Sequence, residues 1–175
     1  MKTFASLLAL TATCAAAIPA ASQTFTLTVS SNDTSLNGLG VVESGNKNGG
    51  IGYVQTISSR KDSPTVFFLE NGTEGRLQTY SLTDNSLRYA WTWDDTYVGS
   101  IQFDKKGGDD GTIYDIDFKI TPDNFLVPAG KFSSFPWSFC PASSDIAGDD
   151  NLGGPIYLGE ITCVALAGLN VVASE

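Results

Sequence analysis

An alternation of apolar and polar residues with a period of two runs along most of this chain, and it dictates sheet. On a strand, successive side chains point to opposite faces, so this pattern buries one face and wets the other. Thr24-Phe25-Thr26-Leu27-Thr28-Val29 sets Phe25, Leu27 and Val29 on one side. After a region broken by Asn, Gly, Ser and Asp, with a short apolar piece at 39–42, further strand-like stretches follow at 51–57, 65–69, 77–82, 86–93, 97–103, 112–120, 125–127, 135–139, 155–158 and 161–172. Turn formers separate them, among them Asn71-Gly72, Asp84-Asn85, Pro122-Asp123-Asn124 and Gly153-Gly154-Pro155. No stretch after residue 20 sustains a helical period. About eleven short strands predict an all-β domain, a sandwich or a barrel.

One internal echo suggests an alternative. Tyr80-Ser81-Leu82-Thr83-Asp84-Asn85-Ser86-Leu87 resembles Phe118-Lys119-Ile120-Thr121-Pro122-Asp123-Asn124-Phe125-Leu126. Both read as strand, Asp-Asn turn, strand. Repeated hairpins at this spacing make a β-trefoil the second choice of fold.

Residues 1–20 stand apart from this pattern. Met1-Lys2 is a short basic start, Phe4 to Ala17 is small and apolar, and Ala15-Ala16-Ala17 begins a small-residue cleavage region. This is the layout of a secretory signal peptide. The expected product is one domain over residues 21–175, exported and held by no membrane span or lipid anchor. In that route the cysteines pair. Cys14 leaves with the leader, and Cys140 and Cys163 remain to form a disulfide. Asn32-Asp33-Thr34 and Asn71-Gly72-Thr73 are acceptor sequons, so Asn32 and Asn71 are expected glycosylation sites.

Charge and residue types narrow the chemistry. With 19 Asp and Glu against 10 Lys and Arg, the chain carries a net charge of −9 and no basic stripe, which disfavours nucleic acid and anionic membranes as partners. Histidine is absent. That removes Ser-His-Asp and Cys-His nucleophiles and imidazole metal sites. No cofactor and no metal is expected. The loop clusters Asp94-Asp95, Asp109-Asp110-Gly111 and Asp149-Asp150 lack an EF-hand spacing and read as solvated turns.

Two groups of side chains could carry function. In Leu87-Arg88-Tyr89-Ala90-Trp91-Thr92-Trp93, the residues Tyr89, Trp91 and Trp93 share a strand face. Such a ladder either packs inward as core or offers ring faces to a sugar. Trp137, close before Cys140, reads as core. Asp115 and Asp117 share a second face, opposite Tyr114, Ile116 and Phe118. Two carboxylates flanking a bond can cleave a glycoside, but this spacing also describes the wet side of any strand.

Four pieces stand in a fixed order: Thr65-Val66-Phe67-Phe68-Leu69-Glu70-Asn71-Gly72 with Arg76-Leu77-Gln78-Thr79-Tyr80; Asp117-Phe118-Lys119-Ile120 with Asp123-Asn124-Phe125-Leu126; Phe139-Cys140-Pro141; and Pro155-Ile156-Tyr157 with Thr162-Cys163-Val164-Ala165. In that order they resemble two successive hairpins and the later strands and cysteines of the PhiA family of small secreted fungal cell-wall proteins. The resemblance implies a non-enzymatic, wall-associated protein with a structural or protective role, linked to asexual sporulation and stress response. The competing expectations are a carbohydrate-binding, lectin-like protein or effector using Tyr89, Trp91 and Trp93, with wall polysaccharide as partner, and a carboxylate-dependent glycoside hydrolase.

Overall fold

The alternation resolves into fifteen β-strands and one 3-10 turn, with no α-helix among the described residues. The computed structural model describes residues 24–44, 52–57, 64–81, 84–92, 99–105, 114–140, 152–159 and 163–174. The leader, Trp93 and the three acidic loop clusters therefore lie outside the described residues. The first strands are β1 (Phe25–Ser30), β2 (Val41–Ser44), β3 (Gly52–Ile57), β4 (Phe67–Leu69) and β5 (Glu74–Tyr80). Next come β6 (Leu87–Thr92), β7 (Gly99–Ser100), β8 (Gln102–Asp104), β9 (Tyr114–Asp115) and β10 (Asp117–Ile120). The last are β11 (Phe125–Pro128), the 3-10 turn Gly130–Phe132, β12 (Trp137–Phe139), β13 (Leu152–Leu158), β14 (Val164–Ala165) and β15 (Gly168–Ala173).

The strands outnumber the expected eleven because three predicted stretches are each split and the short apolar piece at 39–42 leads into a strand of its own, Val41–Ser44. The breaks fall at the buried residues Ile101, Ile116 and Leu166. On either side of each break the chain pairs with a different neighbour. β7 joins β13, whereas β8 joins β6 and β3. β9 joins β6, whereas β10 joins β5 and β11. β14 joins β12, whereas β15 joins β1 and β11.

All pairings are antiparallel, and six strands close on themselves in the order β1–β4–β5–β10–β11–β15 and back to β1. Three hairpins are threaded between these barrel strands. β2–β3 lies between β1 and β4, β6–β8 between β5 and β10, and β12–β13 between β11 and β15. Barrel strand, hairpin, barrel strand thus recurs three times, which is the connectivity of a β-trefoil. The expected barrel is present, and its order is that of the second-choice fold. The echo that suggested it marks inequivalent places, however. The Asp84-Asn85 turn leads from a barrel strand into a hairpin, while Asp123-Asn124 joins two barrel strands. What the two turns share is local: Asn85 (φ 54°) and Asn124 (φ 61°) both take the left-handed conformation that Asn tolerates.

Register carries one face of every barrel strand inward. Phe25 and Leu27 of β1, Phe67 of β4, Leu77 of β5, Phe118 of β10 and Leu126 of β11 belong to one apolar cluster. It extends onto the β12–β13 hairpin through Trp137, Phe139, Ile156 and Leu158. Trp137 stacks on Phe118 (centroids 5.9 Å apart, planes 13° apart), and its indole N–H donates to the Leu126 carbonyl at 3.1 Å. A buried indole that both stacks and satisfies its N–H is well placed in a core. The Cys140–Cys163 disulfide ties the end of β12 to the start of β14, with Cα atoms 5.1 Å apart. β1 and β15 pair along six residues each, and the Thr24 and Ser174 hydroxyls are hydrogen-bonded just beyond them.

Candidate functional site

Strand β6 sorts its side chains by parity. Tyr89 and Trp91 lie on the outer face, next to Gln78 of β5, Gln102 and Asp104 of β8 and Asp115 of β9. Arg88, Ala90 and Thr92 lie on the inner face, where Thr79 and Phe103 are their cross-strand partners or close neighbours. Both faces of β6 are largely buried.

The outer face carries an arginine hub. Arg76 of β5 donates from Nε and Nη2 to the two carboxylate oxygens of Glu70, each at 3.1 Å. Its Nη1 lies 3.6 Å from Asp115 Oδ2. Its guanidinium carbon stands 4.6 Å from the centre of the Tyr89 ring. The forked pairing holds the Glu70 carboxyl below the usual range and raises Arg76 further. The cation thus covers a ring face that a sugar would need, a contact that is itself favourable. Trp91 is 1% exposed. The expected Tyr89–Trp91 ladder is therefore a packed and cation-capped row, not an open stacking platform. Sequence parity identified the shared face; the covering cation comes from a different strand.

Asp115 and Asp117 do share one face, flanking the buried Ile116, and both are exposed. Asp115 sits beside Arg76, and Asp117 lies opposite Arg76 in the β5–β10 register.

The carboxylate that is desolvated was not singled out from the sequence. Glu43 of β2 is 1% exposed, and neither carboxylate oxygen has a hydrogen-bond partner. Its backbone N–H donates to Thr65 Oγ1 at 2.8 Å, which fixes the strand but leaves the carboxyl group uncompensated. Burial pushes its pKa up, against a smaller pull down from Arg88. Arg88, also buried, reaches toward Asp84 (Nη2 to Oδ1 3.9 Å), and Asp84 is paired with Lys105 at 2.7 Å. The available signal was positional: Glu43 stands two residues after Val41, in the phase that alternation assigns to the core. One buried carboxylate does not make the acid–base pair that glycoside cleavage requires.

Asn32 and Asn71 are both exposed, Asn71 in the turn between β4 and β5. Cys140 and Cys163 are bridged. Among the described residues no group of three or more Cys, Asp or Glu is placed to hold a metal ion, and no helix is long and apolar enough to cross a membrane. No protein-family model, curated protein or solved structure matches the chain.

Proposed function

We propose that this chain is an exported, non-enzymatic β protein that works at a fungal cell wall or in the surrounding fluid, with a structural or protective role of the kind the PhiA-like resemblance implies, including asexual sporulation. The observation that carries the reading is the Cys140–Cys163 bridge. Such bonds persist in oxidising compartments, and the leader-like residues 1–20 supply the route there. Two exposed sequons agree with that route. Ionic groups also engage one another: Arg76 takes Glu70, Asp115 and the Tyr89 ring, and Lys105 takes Asp84. This favours endurance over turnover.

Fractionation of the producing cells tests the location. The expected result is protein in wall extracts or culture fluid, shortened at its N-terminus and shifted in mass by an endoglycosidase. Protein confined to the cell interior with residues 1–20 attached contradicts the reading. Turnover on a panel of wall glycans, abolished by Asp115→Asn or Asp117→Asn, would replace it with the hydrolase reading.

A further inference from the structure

Three large apolar side chains stand out as exposed among the described residues: Val66 (44%), Tyr80 (53%) and Val172 (46%). Strand register brings them together. Val172 pairs with Thr26 across β15 and β1, and Tyr80 pairs with Leu87 across β5 and β6. Phe25, Phe67 and Thr79 lie in register across β1, β4 and β5. One residue further along that register come Thr26, Val66 and Tyr80. The Thr79 hydroxyl donates to the Val66 carbonyl at 2.8 Å and holds Val66 against β5. Val172, Thr26, Val66, Tyr80 and Leu87 therefore form one row across five strands on the outside of the barrel. At ~4.8 Å per strand the row is about 19 Å long. In the neighbouring row Phe68, half-buried, places its ring 5.6 Å from Tyr80.

Charge and size select the occupant. No member of the row is charged, on a chain whose net charge is −9. Anionic partners are repelled by the molecule as a whole, and cationic ones find no counter-charge in the row. A second copy brings the same negative charge. The row exposes on the order of 200–300 Å² of side chain, far short of the roughly 800 Å² per partner in a standard protein interface. A neutral, narrow, linear ligand meets neither obstacle. A polysaccharide chain offers flat apolar sugar faces at a repeat of several ångströms, and a rigid row of this length seats a few of them in succession.

We propose that this row is a docking strip for a neutral linear polysaccharide, with the Tyr80 ring stacked on a sugar and Val66 and Val172 extending the contact. The inference rests on the wall setting proposed above and names the partner met there. It moves the expected sugar contact from the Tyr89, Trp91 and Trp93 ladder to a row that meets the same outer face of β6 at Leu87.

The test is retention of the full chain on insoluble β-glucan, chitin and mannan, run beside sedimentation and thermal melting. Wild type is expected to be retained on at least one of the three. Tyr80→Ala should weaken retention about tenfold, the effect of one lost ring contact, with the melting temperature held within about 2 °C. Tyr80→Phe should retain binding. Retention unchanged in Tyr80→Ala overturns the strip, as does wild type retained on none of the glycans. A dimer that Tyr80→Ala dissociates also overturns it and assigns the row to a second copy. Retention that depends on Tyr80 in a protein found only inside cells supports the strip and overturns the wall reading. The reverse pattern, wall protein with Tyr80-independent retention, spares the wall reading alone.

Discussion

Single ionisable side chains pull the stability of this protein in opposite directions with pH. Glu43 has a folded pKa above its ordinary 4.5 because burial disfavours its charge. From 4.5 up to that raised value, the folded state keeps a proton that the unfolded chain has released, so stability falls as pH rises through this window. Asp84 and Glu70 behave oppositely. Hydrogen bonds from Lys105 and then Ser86 depress Asp84, and Arg76 depresses Glu70. Their contributions are complete above the ordinary 3.8 and 4.5 and are lost as pH falls through the depressed values. Thermal melts should therefore peak in mildly acidic solution and decline on both sides. Glu43→Gln should flatten the neutral side, and Asp84→Asn should make the acid decline shallower. A Glu43→Gln profile parallel to wild type throughout the range above pH 4.5 would refute the assignment. Glu43 was visible in the sequence as a charge in an apolar phase. Its lack of a hydrogen-bond partner was not, because that depends on what distant strands bring against β2.

Elements were legible wherever alternation and turns agreed. β1, β6 and β11 lie where the pattern put them, because side-chain parity is a local property of the chain. The splits at Ile101, Ile116 and Leu166 were not legible, since each marks a change of neighbour and neighbours are set by distant strands. The same limit hid the Tyr80 strip, which exists only in the register of five strands. It also hid Arg76 over Tyr89. Packing between elements yields two further predictions. A Cβ on Gly99 would lie 1.8 Å from Thr92 Oγ1, so Gly99→Ala should cost about 2 kcal/mol in denaturant unfolding. The Thr92 hydroxyl is buried without a hydrogen-bond partner, so Thr92→Ala alone should be close to neutral. The double variant should recover about 1 kcal/mol of the loss, and strict additivity would refute the contact. Replacing Cys140 and Cys163 together by Ser should lower stability by about 3 kcal/mol, read as a shift in denaturant midpoint; no shift would show that the bridge does not constrain the unfolded chain.

The whole molecule is organised around a circuit of strands joined by pairs distant in sequence, an arrangement that favours slow folding. Its seam is the β1–β15 pair, where Ser174 N–H donates to the Thr24 carbonyl at 3.2 Å. Because residues 24 and 174 are neighbours in space, a permutant that links them and opens the exposed Pro122-Asp123 turn should fold with a cooperative melt. Truncation before Gly168 should abolish that melt, because β1 would lose its six-residue partner; a cooperative transition in the truncated chain would show that the circuit is dispensable. The seam also sets a schedule. A polypeptide fed in order from its first residue has no finished portion to lock while it is still emerging, since its opening segment waits for its closing one. For a chain exported as proposed above, the circuit would close only after its last stretch had reached the far side.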